Sequence, residues 1–452
     1  MQTSKLMTSE KQYIELFETQ RDVLTANSCA PMNDVRDAAF AHFKRLGFPS
    51  RKVERYKYTD VQKAFAPDYG VNLRRIQFPV NPYEAFRCNV PNLSTQLYFT
   101  VNDAFYEKNK DAASLPEGVR IGSICQLAGE LPVIARHYGR LATTENDGIT
   151  ALNTMLAQDG IVIYLPEGTQ MARPVQVVNL LRSDVNLMAN RRVLIIAEAN
   201  VQAALLFCDH AIDDRAFLST QVTEVYAGTN SRIELYNLEE THIQNTTFNN
   251  LYVHQEAGSH VTLGALTLHN GLTRNQVEVT LAGQNAETIA YGCVVADKQQ
   301  HVDNNLVIDH QTESCQSNML YKYVLDGQAT GAWAGKVLVR EGAQHTDSQQ
   351  TNANICISEQ AHMYTQPMLE IYADDVKCNH GSTVGQLDEK ALFYMRQRGI
   401  DEAEARLLLQ HAFVNDVIRR ITLEPLRERL SHLVEMRFRG ELGKCKGCTI
   451  CR

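Results

Sequence analysis

A repeat limits the folds open to this chain. Four turn-like segments recur at near-constant spacing: Glu198-Ala199-Asn200, Ala227-Gly228-Thr229-Asn230, Glu256-Ala257-Gly258-Ser259 and Ala282-Gly283-Gln284-Asn285. Their starts lie 29, 29 and 26 residues apart, and Glu341-Gly342-Ala343-Gln344 follows 59 residues after the last, about two further periods. Each precedes a short β-branched or alternating run, among them Gln221–Tyr226, Arg232–Tyr236, Val261–Leu263 and Val277–Leu281. No helical pattern of useful length interrupts these runs before residue 385. That disfavours βαβ alternation, and with it a Rossmann fold or a TIM barrel. A mainly β chain whose period is near 29 residues points to a parallel β-helix, a solenoid of about seven coils. At roughly 4.8 Å per coil the rod would be on the order of 35 Å long. A sandwich of irregular hairpins is the competing architecture.

Flanking segments have a different texture. Residues 1–155 read as a mixed, helix-rich unit, 156–385 as the β-helix core, 386–440 as a C-terminal helical unit and 441–452 as a cysteine-rich tail. Near the start, Asn33 or Asp34 is placed to cap a helix that Gly47 stops, with Ala39, Phe40, Phe43 and Leu46 at helical spacing. A second helical pattern covers Ile149–Gln158. The polar and aromatic run Ser50–Asp60 reads, from its charge, as a solvated connector. Beyond Gly385, Asp388–Arg398 is helical. Asp401 with Glu404 makes a capping-box pattern, and Thr422 with Pro425 opens a last helix ending at Gly440. Ala405, Leu408, Leu409, Ala412, Phe413 and Val417 form an apolar stripe, suited to core packing or to docking.

Composition narrows the function. Forty-four Lys plus Arg against 52 Asp plus Glu leave a net charge of −8, a poor basis for binding nucleic acid or an anionic membrane. No run of 18 apolar residues is present to span a bilayer. Met1–Ala26 lacks a continuous apolar core and does not read as a secretory signal, so a cytoplasmic protein is expected. Eleven scattered cysteines are then expected to be free thiols or ligands rather than a disulfide framework. Nucleotide chemistry has no foothold. Gly331-Ala332-Trp333-Ala334-Gly335-Lys336-Val337 has three residues, not four, between its glycines, and Val337 stands where a phosphate loop needs Ser or Thr. No residue set at catalytic spacing is evident.

The sharpest local feature is the stretch Glu370–Gly385. On a strand, Cys378 and His380 lie two apart and share a face, where an imidazolium would lower the thiol pKa. A Cys-x-His pair alone is weak evidence and more often has an ordinary structural role. This one falls where the last coil of a solenoid exposes unpaired backbone, which another chain must cover. In the tail, Cys445, Cys448 and Cys451 offer three thiols, one short of a structural zinc or iron–sulfur ligand set, and are either incidental or metal-handling.

These stretches resemble a known family. The run from His301 to Phe413 is similar to the C-terminal half of the SufB/SufD iron–sulfur cluster assembly proteins. The resemblance is carried by Gly342–Gln350, by Pro367–Gly381 with its Asp-Val-Lys-Cys-Asn-His-Gly run, by Leu392–Ile400 and by Glu404-Ala405-Arg406. Arg51–Thr59 is similar to the family's Lys-Tyr-Thr segment, with Tyr56 where Trp is usual. The resemblance covers about three quarters of the chain, and the Cys-Asn-His form is that of the SufD branch.

The resemblance implies a right-handed parallel β-helix flanked by helical domains, and a non-catalytic scaffold subunit of the SUF complex. Such a subunit pairs with SufB and binds the ATPase SufC through its C-terminal helices, here Phe393, Tyr394, Arg398, Arg406 and Phe413. A transient iron–sulfur cluster would form at the interface with SufB, beside Cys378 and His380. Sulfur would come from a cysteine desulfurase and ATP would act through SufC, with no cofactor firmly held by the isolated chain and no catalytic residue of its own. A homodimer through the same edge is open to the chain alone. Two other readings compete: a SufB-like paralogue that itself carries the cluster, and a β-solenoid enzyme acting on carbohydrate.

Overall fold

The computed structural model describes residues 8–85, 94–107 and 115–441. From Ile161 to Gly385 the chain alternates between two sheets, so that sequence neighbours lie in opposite sheets and every ladder pair in this span is parallel. One sheet runs from Ile161–Leu165 through Leu187–Ala197, Phe217–Ala227, Thr246–Gln255, Leu272–Leu281, His301–His310 and Thr330–Val339 to His362–Ile371. The other runs from Val175–Leu181 through Gln202–Ala211, Arg232–Glu240, His260–His269, Glu287–Ala296, Gln316–Leu325 and Asp347–Cys356 to Lys377–Gly385. This is a parallel β-solenoid of about eight turns. That is close to the expected seven, and its last strand, Lys377–Gly385, is almost wholly exposed.

The repeat seen in the sequence is the corner of each turn. Asn200, Asn230 and Asn285 adopt left-handed backbone, with φ of 59°, 57° and 61°, and Gly258 takes the same position with φ of 65°. Only Gly and Asn enter that region readily. The N–H groups of Asn200, Asn230 and Gly258 donate to Thr229 O, Ala257 O and Gln284 O one turn ahead, at 2.8–2.9 Å. Each corner is thus tied to the next, and the spacing of the turn residues becomes the pitch of the coil.

Inward side chains such as Ile163, Val177, Ile195, Phe207, Val225 and Leu235 form one continuous core along the rod. Outer faces are covered as well. Leu206, Leu238, Leu266 and Val295 on one sheet pack against Val414, Val417, Ile418, Leu426, Leu430 and Leu433 of the C-terminal helices. Met188, Leu218 and Phe248 on the other sheet pack against Phe17, Phe43, Phe65 and Leu152. A parallel sheet buried on both faces reads as a continuous apolar run rather than an alternation, which explains Leu187–Ala197, buried throughout.

The two ends of the rod differ. At the first turn, Arg120–Ser123 pairs antiparallel with Ile161–Leu165, and Gln96–Val101 pairs with Val175–Leu181 before Ala104–Phe105 folds back on it. Helix Gly148–Leu156, every residue of which is buried, packs on the outer face of the first sheet over Leu187–Ala197 and Phe217–Ala227, with Thr8–Ala26 and Ala30–Leu46 packed on it. At the last turn, His362–Ile371 and Lys377–Gly385 have ladder partners on one side only among the described residues.

Several local expectations are corrected. The helix expected from Asn33 or Asp34 begins earlier, at Ala30, with Cys29 as N-cap, because Pro31 in the first turn presets the helical backbone. Glu404 does not complete a capping box; its carboxylate pairs with Arg439 at 3.2 Å, and Asp401 caps alone by accepting from Ala403 N. Thr422 caps nothing; its hydroxyl turns to Glu234 on the solenoid, and the last helix starts at Glu424. Arg51–Thr59 is a solvated connector only in part: Arg51, Lys52, Val53, Glu54 and Lys57 are exposed, while the rest docks on the wall. Tyr56 is 1% exposed, and Thr59 donates to Asp303 Oδ2 at 2.6 Å on the solenoid wall. The glycine-flanked lysine segment lies within strand Thr330–Val339, where Trp333 is buried and Lys336 pairs with Glu370 at 2.7 Å.

Candidate functional site at the open rim

The rim is built by the last two strands. Lys377–Gly385 pairs only with Asp347–Cys356, in a register that sets Cys378 over Ser348, His380 over Gln350 and Ser382 over Asn352. Ser348, Gln350, Asn352 and Asn354 are all buried, so this alternate set faces the interior of the rod. Cys378, His380, Ser382 and Val384 continue that inward face into the last turn. No further turn lies above them among the described residues, so Cys378 is half-buried and His380 and Val384 are exposed. Across the rim Thr365 Oγ1 and Ser382 Oγ share a hydrogen bond of 2.5 Å, which holds the two edge strands together. Pro367, within the opposite edge strand, carries no N–H and is tolerated there because that strand has a partner on one side only.

The floor beneath His380 is polar and tight. Gln350 Nε2 donates to Met368 O at 3.0 Å, and Trp333 is fully buried one layer down. Cys378 packs against the apolar core. Its thiol pKa is raised, first by that burial and second by the Asp347 carboxylate. This corrects the expected thiolate: no imidazolium lowers this thiol, because the core side of the rim is apolar and the nearby charge is negative. Among the described residues no group of three or more His, Cys, Asp or Glu is gathered closely enough to hold a metal ion. The rim has Cys378 and His380 as soft or borderline donors, together with two rows of edge amides and carbonyls and the exposed apolar side chains Ile371, Tyr372 and Val384.

The C-terminal helices carry the second predicted set. Phe393 and Tyr394, on Glu389–Gln397, are 63% and 58% exposed. Arg398 stacks on the Tyr394 ring at 4.9 Å and donates to its hydroxyl at 2.7 Å. Arg406 pairs with Glu402 at 3.0 Å. Phe413 departs from this group. It is half-buried under the Lys322 ammonium, at 4.6 Å from the ring centre, and its carbonyl accepts from Lys322 Nζ at 2.8 Å. That ring therefore closes the seam between helix and solenoid. The apolar stripe of Glu402–Ile418 divides accordingly: Ala405 and Val417 are buried, while Leu408 is 41% exposed beside the aromatic pair's helix. Cys445, Cys448 and Cys451 lie outside the described residues. Among the described residues no helix is long and apolar enough to cross a membrane.

Comparisons with known proteins match this architecture. Residues 180–413 match the SUF system FeS cluster assembly SufBD core domain, and residues 7–177 match the SufBD protein N-terminal region. An iron–sulfur cluster assembly SufBD family protein of Synechocystis is 28% identical, over 87% of this chain and 88% of that protein. The chloroplastic protein ABCI7 of Arabidopsis thaliana is 27% identical, over 93% of this chain and 90% of its own length. The iron–sulfur cluster assembly protein SufD of Escherichia coli is 26% identical, over 88% and 90%. With a half-capped solenoid, a rim bearing Cys378 and His380, and family matches spanning nearly the whole chain, this protein belongs to the SufBD family of SUF-system iron–sulfur cluster assembly proteins.

Proposed function

We propose that the chain is a non-catalytic scaffold subunit of a cytoplasmic SUF assembly complex, and that its rim pairs with a paralogous SufB chain. The observation that carries this reading is the unfinished end of the rod, where both sheets stop with one edge unpaired beside Cys378 and His380. Open sheet edges invite another chain. Two donors from this rim, joined by donors from the partner's rim, make a ligand set that neither chain completes alone. The nascent cluster is then the cargo of the junction rather than a resident group. Phe393, Tyr394 and Leu408 supply an exposed apolar face for the ATPase SufC, whose nucleotide cycle provides the energy, while a cysteine desulfurase supplies sulfur.

The test is cluster assembly in the reconstituted complex of this chain, the paralogue, the ATPase and the desulfurase, with cysteine and ferrous iron. Cys378→Ser and His380→Ala should each slow assembly about ten-fold or more while the complex still co-purifies. Because the Cys378 thiol is held in its protonated form, the wild-type rate should climb as pH rises above neutrality. Phe393→Ala with Tyr394→Ala should weaken ATPase capture and leave pairing of the rims intact. Normal assembly rates in both rim variants would overturn the assignment of the site.

A further inference from the structure

Two cysteines far apart in sequence meet at the closed end of the rod. Cys29 and Cys125 are 96 positions apart, yet their Sγ atoms lie 2.6 Å from one another. That is nearer than unbonded sulfurs rest and close to the reach of a bond, about 2.05 Å. Cys29 is the N-cap of helix Ala30–Leu46, in extended backbone with φ −123° and ψ 165°, its carbonyl accepting from Met32 N at 3.1 Å and Asn33 N at 3.0 Å. Cys125 lies in the short helix Ile124–Leu127, held by Asp159. That carboxylate accepts from Cys125 N at 3.1 Å and from Ser123 Oγ at 2.7 Å. Cys125 Sγ also touches Gln158 O at 3.4 Å and Met32 Sδ at 3.7 Å. Both thiols are half-buried, so a small reagent can reach them.

The two are electrostatically unlike. The Cys29 thiol is lowered, chiefly because Cys125 donates its S–H to it, with the Met32 amide and Arg36 adding to the effect. The Cys125 thiol is raised, by that same hydrogen bond, by burial and by Asp159. Cys29 is thus the more acidic of the two sulfurs and Cys125 the less acidic.

We propose that Cys29 and Cys125 form a reversible disulfide that fastens the N-terminal helices to the closed end of the solenoid, with a low-molecular-weight disulfide such as oxidised glutathione as the oxidant. Cys29 thiolate attacks one glutathione sulfur, forming a mixed disulfide and releasing the other glutathione as thiolate. Cys125 gives up its proton and attacks Cys29 Sγ, forming the internal bond and releasing the second glutathione. Two protein thiols are oxidised and one glutathione disulfide is reduced to two glutathiones. The bond spans helix Ala30–Leu46 and the corner that follows strand Arg120–Ser123, itself paired with the first turn of the rod. It lies at the end opposite Cys378, so the rim and the fastening are separate.

The experiment equilibrates the full chain with glutathione at graded redox ratios, quenches with iodoacetamide and maps unreduced peptides by mass spectrometry. A Cys29–Cys125 linked peptide should appear as the ratio becomes oxidising and vanish on reduction, and the oxidised chain should melt several degrees higher. Cys125→Ser should trap glutathione on Cys29, whereas Cys29→Ser should leave Cys125 largely unmodified. Absence of the linked peptide under fully oxidising conditions would overturn the proposal, and an unchanged melting temperature would overturn the fastening role. Faster glutathionylation of Cys125 than of Cys29 would overturn the order of attack. If either variant fails to fold, the wild-type peptide map and the relative alkylation rates of the two thiols decide the question.

Discussion

At the scale of single residues, the interior of the solenoid is less oily than its strands suggest. Near the middle of the rod, Asp209, Asn237, Glu239, Asn250 and Gln276 line an internal cavity of about 60 Å³. Glu239 is 6% exposed and accepts from Thr273 Oγ1 at 2.8 Å. Burial, reinforced by Asp209, pushes its carboxyl up to about 8, while Glu240 is pushed up to about 7. His210 and His310 are pushed the other way, to about 4, by burial. Between the ordinary carboxylate range and pH 8 the folded chain therefore holds a proton on Glu239 that the unfolded chain has lost, and stability falls as pH rises through that window. The two histidines act oppositely below pH 6.5, where the unfolded chain binds the extra protons and stability rises with pH. From pH 6.5 to 8 the carboxyls dominate, with a limiting slope of about 1.4 kcal/mol per pH unit for one proton. Glu239→Gln should flatten the urea midpoint across that interval; an unchanged slope would show that this carboxyl is already ionised. Such a group is invisible in sequence, where Arg232–Glu240 reads as an ordinary alternating strand. Cys378 and His380 were legible because a spacing of two on a strand dictates a shared face. The meeting of Cys29 with Cys125 was not legible, since only the folding of the chain start against the first turn brings them together.

At the scale of elements, the segment Arg51–Thr59 shows how charge misleads when its partners are distant in sequence. Tyr56 is held between two cations, with Arg274 at 4.6 Å and Arg55 at 5.6 Å from the ring centre. Its hydroxyl donates to Asp147 Oδ2 at 2.6 Å, and the same carboxylate pairs with Arg55 and caps helix Gly148–Leu156 through Thr150 N. Tyr58 stacks on Tyr364 of the last turn at 4.6 Å. The segment therefore lies along the wall, with Glu54 meeting Gln366 of the last turn and Arg55 pairing with Asp147 and Glu278, while Arg51, Lys52 and Lys57 stay exposed to water. Tyr56→Phe removes a hydrogen bond to a charged acceptor and leaves one oxygen of a buried carboxylate less satisfied, a cost of about 1.5–3 kcal/mol. Tryptic cleavage at Lys57 under native conditions should then rise about ten-fold or more, as the segment opens more often. Equal cleavage in variant and wild type would mean that the ring, not the hydroxyl, holds the segment. The repeat of corners was readable because left-handed backbone favours Asn or Gly, which fill it at Asn200, Asn230, Gly258 and Asn285, although Ser314 and His345 fill it in later turns. The start of helix Ala30–Leu46 and the true cap of the last helix were not, since Pro31 and the pull of Glu234 on Thr422 outweigh local capping preference.

At the scale of the whole molecule, the rod is asymmetric: covered by strands and helices at its first turn, open at its last. Soluble rods of stacked strands tolerate an open end only when something blunts it or covers it. Pro367 blunts one edge by removing a donor. The other edge, Lys377–Gly385, has no proline, and its inward face ends in Val384, which is 50% exposed near Leu409 and Phe413. An edge of that kind is self-complementary about a two-fold axis, because two identical rims turned face to face set one last strand antiparallel to its copy. The chain purified without partners should therefore sediment as a dimer at tens of micromolar, on the order of concentrations at which weak edge pairing is populated. Val384→Lys places a charge on the inward row of the rim, where a joint between two copies would bury it without a counter-charge. That variant should sediment as a monomer and melt at the wild-type temperature, since the side chain is half exposed in the single chain and its loss leaves the core untouched. Retention of the dimer by Val384→Lys would move the contact away from the rim. A monomer at every concentration of the wild-type chain would mean that the rim binds only an unlike partner, whose edge supplies what two copies of this one lack.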